Sequence, residues 1–364
     1  MKAAHARVTK YKRATCKVSF ETLGQLIRSG SERGIQGRIA RVVSKRETAE
    51  TQKRLLDALE SGPGEGPAAV LARHLLATMW HAGPAAATAG LRSLPVNLIK
   101  RTENKTFRVL LSERTGILPD EMHELVSSGN ACQCADVKAG EISLTWELYS
   151  HMTVACKRCY KSARSAVYAT VMQRAATAAG VKSFLEMGET QAVDQVAELE
   201  VRQGYGRGER RPGDIVFGWE ETESTPAFCQ WLDMKCAAAC AKVHQKAGAA
   251  AVFGGHFKKA AAQKLRDGRQ GGKYGDFMER IAATQRATFD IAVFTELGSH
   301  DGVFAEIWSK LANAYAKKRG CVTEQARCVE RCAFLSKWRA EASLALAAVT
   351  AGTLRKACRA ILGA

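Results

Sequence analysis

The chain has 364 residues, 46% of them hydrophobic and 7% aromatic, a balance that excludes a disordered polymer and allows a sizeable core. Lys and Arg number 54 against 36 Asp and Glu, and a net charge of +18 points to a polyanionic partner, above all nucleic acid. No apolar run is long enough to span a membrane and the basic start lacks a signal-peptide core, so the 12 cysteines are expected as reduced thiols in the nucleus or cytoplasm rather than as secreted disulfides.

In chain order, residues 1 to about 60 read as basic helices, with Leu23, Leu26 and Ile27 on one face. "SGPGEGP" breaks the pattern, and a helix carrying Val70, Leu71, Leu75 and Met79 follows. Phe107, Leu110 and Leu111 predict a helix ending at Gly116, which closes a basic helical region over 1–128. Residues 129–159 are cysteine-rich and read as irregular. Ala163, Val167, Val171 and Ala175 form the stripe of a helix over 160–180, with Gly180 as its stop.

Beyond it, short apolar runs at 215–219, 228–233 and 289–295 alternate with helical text at 256–267 and 303–316. That alternation predicts an α/β domain over 160–320, followed by C-terminal helices over 321–364.

Cys132-x-Cys134, then His151 and, after four intervening residues, Cys156 supply two close thiols and a histidine–thiol pair. Thiolate and imidazole are zinc's preferred ligands, and a turn-rich segment with little core gains stability from the metal. Packed thiols are the competing reading, and Cys159 could replace one member. Cys236/Cys240 and Cys328/Cys332 stand four apart in helical text and read as packed thiols.

Asp214 heads one apolar run and Asp233 closes the next, so a hairpin would set the two carboxylates side by side. Two such acids hold Mg²⁺ in nucleases, with a lysine to position water or offset phosphate charge. Asp233-Met234-Lys235 fits the Asp-x-Lys pattern of restriction-endonuclease-like cores, both side chains on one strand face. An aspartate at a strand end is also an ordinary turn cap. The basic stretch 256–275, with Lys258, Lys259, Lys264 and Tyr274, reads either as a phosphate-contacting helix and loop or as a solvated face.

The order of these pieces resembles the C-terminal part of reverse-transcriptase proteins of non-LTR retrotransposons that carry a restriction-like endonuclease. "GLRSLPVNLIKRTENKTFRVLLSERTGI" resembles their post-thumb helical segment, and "CQC…SHMTVAC" their Cys-Cys-His-Cys knuckle. "RRPGDIVF" resembles the Arg-Pro-x-Asp strand, "FCQWLDMKC" the strand with the second acid, and "AAAQKLRDGRQGGKYGDF" the basic helix leading to a Lys-Tyr pair. "FDIAVFTELGS" resembles a later strand with Glu-x-x-Gly.

The resemblance implies a zinc knuckle followed by a restriction-endonuclease-like α/β core. It implies Asp214 and Asp233 as Mg²⁺ ligands and Lys273 as the lysine, with Lys235 a local competitor and Glu296 a further acid. Arg164, Arg211, Lys258, Lys259, Lys264 and Tyr274 are then candidate nucleic-acid contacts. Where the family commonly reads Arg-His after the knuckle, this chain has Arg164-Ser165. The implied reaction is nicking of a DNA phosphodiester before reverse transcription, with DNA and element RNA as partners. The sequence holds no Tyr-x-Asp-Asp motif, so a polymerase is expected to act in trans.

Overall fold

The computed structural model describes residues 118–127, 148–149, 151–156, 162–185, 213–220, 227–237, 249–274, 277–283, 287–295 and 298–362, and isolated positions before and between them. The chain divides into two compact units, Met1–Leu76 and Ala77–Ala364. In the first, the described residues Glu50, Lys53, Arg54 and Asp57 are helical. The helices read around Leu23 and Val70 lie outside the described residues, whereas Thr106, Arg108, Val109 and Ser112 are helical where a helix is expected.

The second unit has mixed α/β structure with a four-stranded sheet. Its elements are α1 (Asp120–Ser127), a π-helical turn (His151–Ala155), α2 (Ser162–Ala179), β1 (Lys182–Leu185), β2 (Ile215–Trp219) and β3 (Phe228–Ala237). They continue with α3 (Ala249–Gln270), α4 (Phe277–Ala283), β4 (Ala287–Thr295), α5 (Gly302–Lys318) and α6 (Glu324–Leu362). Strand order is β1-β2-β3-β4. The first two pairings are antiparallel and the β3–β4 pairing is parallel, from Cys229↔Ala287 to Ala237↔Thr295.

The three apolar runs of the sequence become β2, β3 and β4, but β3 does not stop at Asp233. It continues to Ala237 because β4 accompanies it in parallel over that length. Asp233 is therefore a mid-strand residue, paired with Ile291.

Alternation along the strands separates two buried faces. Ile215, Phe217, Leu232, Met234, Ala292 and Phe294 face α2, α5 and α6, which contribute Tyr168, Met172, Trp308 and Trp338 among others. Val216, Trp231 and Cys229 face the other way, against Phe277 and Ile281 of α4, and Val293 and Ala237 pack on Ala260 of α3. Helices thus cover both faces of the sheet. Of the stripe predicted on α2, Val171 and Ala175 are buried and Val167 is half-buried; the buried face runs beside it through Tyr168, Met172, Ala176 and Ala179, and Gly180 ends the helix at φ +79°. Asp301 caps α5, accepting from Phe304 N at 3.0 Å, and also accepts from Val293 N at 2.9 Å, which ties β4 to the helix.

α6 spans two cores. Its first half packs on the sheet layer through Phe334, Trp338, Ala342 and Leu346. Its second half packs through Leu354 and Cys358 on Val109, Met122, Leu125, Leu148 and the cysteines Cys132 and Cys156. Cys328 and Cys332 are exposed on α6, a correction to their reading as packed thiols: their helix face is turned to solvent. No described helix is long and apolar enough to cross a membrane.

Candidate functional site

Asp214 and Asp233 come together because β2 and β3 pair in register. Ile215 faces Leu232, and one step outward the Asp214 N–H donates to the Leu232 carbonyl at 2.8 Å. Gly213 makes this approach possible, since a Cβ there would stand 3.1 Å from the Leu232 oxygen. Both acids lie on the sheet face covered by α3 and α4. Asp214 is 26% exposed and Asp233 is fully buried.

Asp214 Oδ2 accepts from Met234 N at 2.7 Å. Asp233 Oδ1 lies 2.7 Å from Lys273 Nζ and 3.0 Å from Lys264 Nζ, and its Oδ2 accepts from the Tyr274 hydroxyl at 2.7 Å. Lys264 Nζ also donates to the Met234 carbonyl and stands 4.0 Å from Asp214 Oδ2. Solvent reaches the cluster at Asp214 and at Lys273, which is 39% exposed.

The electrostatics follow from this packing. Burial raises the Asp214 carboxyl above its ordinary range, against the opposing pull of Lys264. Burial lowers Lys264, against the attraction of Asp233 and Asp214. Burial, and then Asp233 beside it, push the Tyr274 phenol well up, so it stays a donor.

Of the two lysines that competed in the sequence, Lys273 is the one touching Asp233. Lys235 lies two residues beyond Asp233 on the same strand face and is half-buried.

Lys264 and Tyr274 are corrections to their reading as nucleic-acid contacts. Tyr274 is fully buried and its ring packs edge-on against Phe289, so it serves Asp233 rather than a base. Lys264 points inward because it shares the α3 face of Phe257, Ala260, Ala261 and Gly268, at helical spacing. A lysine set within an apolar stripe was the available signal.

Arg164 is likewise not a surface contact. It is 1% exposed and donates to Thr350 Oγ1 at 3.0 Å, because the start of α2 packs on α6. Lys258 and Lys259 are exposed, as a phosphate contact requires, while Arg211 and Glu296 lie outside the described residues.

Gly268 holds the cluster together by being small. A Cβ there would overlap the Tyr274 ring. Gly268→Ala is expected to displace that ring from Asp233 and to cost about 1–3 kcal/mol in urea unfolding. In a Tyr274→Ala background the same change should cost nothing further, a non-additivity that an independent effect would not show.

Cys132, His151 and Cys156 form a second cluster, all buried, that could hold a metal ion. Their ligand atoms lie within 4.8 Å of one another, and the two sulfurs are 3.5 Å apart. Two thiolates on one tetrahedral ion at about 2.3 Å each stand about 3.7 Å apart, so the spacing fits. The segment read as irregular contains the π-helical turn, whose Cys156 N–H donates to the His151 carbonyl at 2.7 Å. That five-residue step brings the imidazole and thiol to one side. Cys134, the fourth ligand expected from the sequence, lies outside the described residues, as does Cys159.

At the far end of β2 from Asp214, Trp219 and Phe228 line a cavity of about 820 Å³ beneath Lys310. The Lys310 ammonium lies 5.6 and 5.3 Å from the two ring centroids. It is separate from the acid cluster.

No family model, no curated protein and no solved structure matches this chain.

Proposed function

We propose that this chain is a DNA-binding, Mg²⁺-dependent endonuclease with a restriction-endonuclease-like core, derived from a non-LTR retrotransposon protein. In this reading it nicks DNA for target-primed reverse transcription. The observation that carries the reading is the convergence of Asp214, Asp233 and the Met234 carbonyl on one point, with Lys273 beside them. Hard anionic and carbonyl oxygens are the donor set that Mg²⁺ takes.

Bound there, Mg²⁺ would supply an activated water and offset charge on the phosphate. The protein's own part is positional. Asp233 is buried and braced by Tyr274, so its carboxylate is fixed before substrate arrives. Lys273 is held by Asp233 yet remains solvent-accessible, which suits an ammonium that orients water or meets a phosphate oxygen. The net charge of +18 and the exposed Lys258 and Lys259 favour a polyanionic substrate. Zinc at Cys132, His151 and Cys156, completed by Cys134, would brace α1, the π-helical turn and the end of α6.

The test is nicking of supercoiled plasmid by purified protein with Mg²⁺. Asp214→Ala is expected to lower the rate at least about a hundredfold, the loss of several kcal/mol of transition-state stabilisation. Undiminished nicking by that variant would show the site to be elsewhere.

A second reading is favoured by one observation: Lys264 and Lys273 together already neutralise the acid pair. A nucleic-acid-binding module without catalysis would need no divalent ion there. It predicts salt-sensitive DNA binding with no cleavage under any divalent cation.

A further inference from the structure

The ammonium of Lys264 stands at the point on which the oxygens converge. It is 3.0 Å from Asp233 Oδ1 and 4.0 Å from Asp214 Oδ2, and it donates to the Met234 carbonyl. These are the oxygens that would ligate a divalent ion in the metal-site reading of the acid pair, on which this inference rests. An ammonium and a divalent cation cannot share that position, for both steric and Coulombic reasons.

With two carboxylates and two ammonium groups, Asp214, Asp233, Lys264 and Lys273 neutralise one another in their ordinary charge states. A divalent ion added to all four would leave an excess of positive charge around a fully buried carboxylate, which is costly. Lys273 has a solvated route beside the site and can stay. Lys264 cannot stay and also make room. Its flexible four-carbon stem rises from α3 and its side chain is 20% exposed, so it has a way out.

We propose that Lys264 is a built-in competitor for the divalent ion: it holds the acid pair together in the metal-free protein and must swing out before the ion binds. The site then binds metal more weakly than its oxygens alone would, by the fraction of molecules in which the lysine is out. Replacing Lys264 with a neutral side chain removes that handicap.

The experiment uses the full chain, zinc-replete, with Mn²⁺ as the probe and free Mn²⁺ read by electron paramagnetic resonance. Wild type, Lys264→Gln and Lys264→Met are each titrated with and without Asp233→Asn. Both lysine variants are expected to bind Mn²⁺ about tenfold or more tightly than wild type, the handicap for a lysine-out state near one in ten. Asp233→Asn should abolish that gain. Equal or weaker binding by the lysine variants, with Asp233-dependent binding retained, overturns the competitor role and leaves the metal site standing. If no protein shows Asp233-dependent binding, the metal-site reading falls and this inference with it. Thermal unfolding identifies any variant that does not fold, and either lysine variant alone suffices to decide.

Discussion

Asp233→Ala is expected to destabilise the protein by about 3–5 kcal/mol, the range for breaking a buried ion pair from one side. The carboxylate is fully buried and serves Lys264, Lys273 and the Tyr274 hydroxyl at once. Removing it strands the phenol in a site where little water can replace its partner, and leaves Lys264 with only the Met234 carbonyl and the more distant Asp214. Lys273 is more exposed and should contribute least to the loss. Tyr274→Phe removes a single donor from a charged acceptor and should cost less, about 1.5–3 kcal/mol. Urea unfolding at neutral pH measures both. A loss below about 1 kcal/mol for Asp233→Ala would mean that the lysines find other partners, and the cluster would not be the fixed arrangement described.

The second large effect concerns the cysteine–histidine cluster. If zinc is bound there, chelation or Cys156→Ala should remove it and lower stability by about 4 kcal/mol for a site saturated a thousandfold over its dissociation constant. The loss should be local as well as global. Leu354 and Cys358 of α6 pack against Cys132 and Cys156, while the first half of α6 belongs to the sheet-facing core. Amide exchange should therefore accelerate over 351–362 and change little over 162–179. Uniform acceleration, or none, would contradict the metal's role as a local brace. Metal analysis of protein purified without chelator gives the stoichiometry directly.

Much of the strand framework was legible because apolar runs bounded by Asp214 and by turn residues leave a clear trace. The pairing of those acids was also legible, since antiparallel neighbours set known positions opposite one another. The length of β3 was not. Its last residues, Met234 to Ala237, are ordered by a parallel partner more than fifty residues away, and parallel pairing has no local sequence signature.

Basic residues on α3 looked alike in sequence because charge alone does not say which face a side chain occupies. Lys258 and Lys259 are exposed, whereas Lys264 shares a stripe with Ala260 and Gly268 and so turns inward. Tyr274 followed the same logic: its role depends on Gly268 leaving room for its ring, a contact no motif records. The ligand types at Cys132, His151 and Cys156 were visible, but the π-helical turn that brings the last two together was not, because one inserted residue in a helical turn leaves no compositional mark.

Whether the acid pair on β2 and β3 takes a divalent metal, as proposed, is tested most directly by locating the ion. Crystals of the zinc-replete protein soaked in Mn²⁺ should give an anomalous peak between Asp214, Asp233 and the Met234 carbonyl, with metal–oxygen distances near 2.1–2.2 Å and the Lys264 ammonium moved away. A soak that leaves Lys264 on both carboxylates, with no peak at that position while Mn²⁺ is seen elsewhere, would contradict the account.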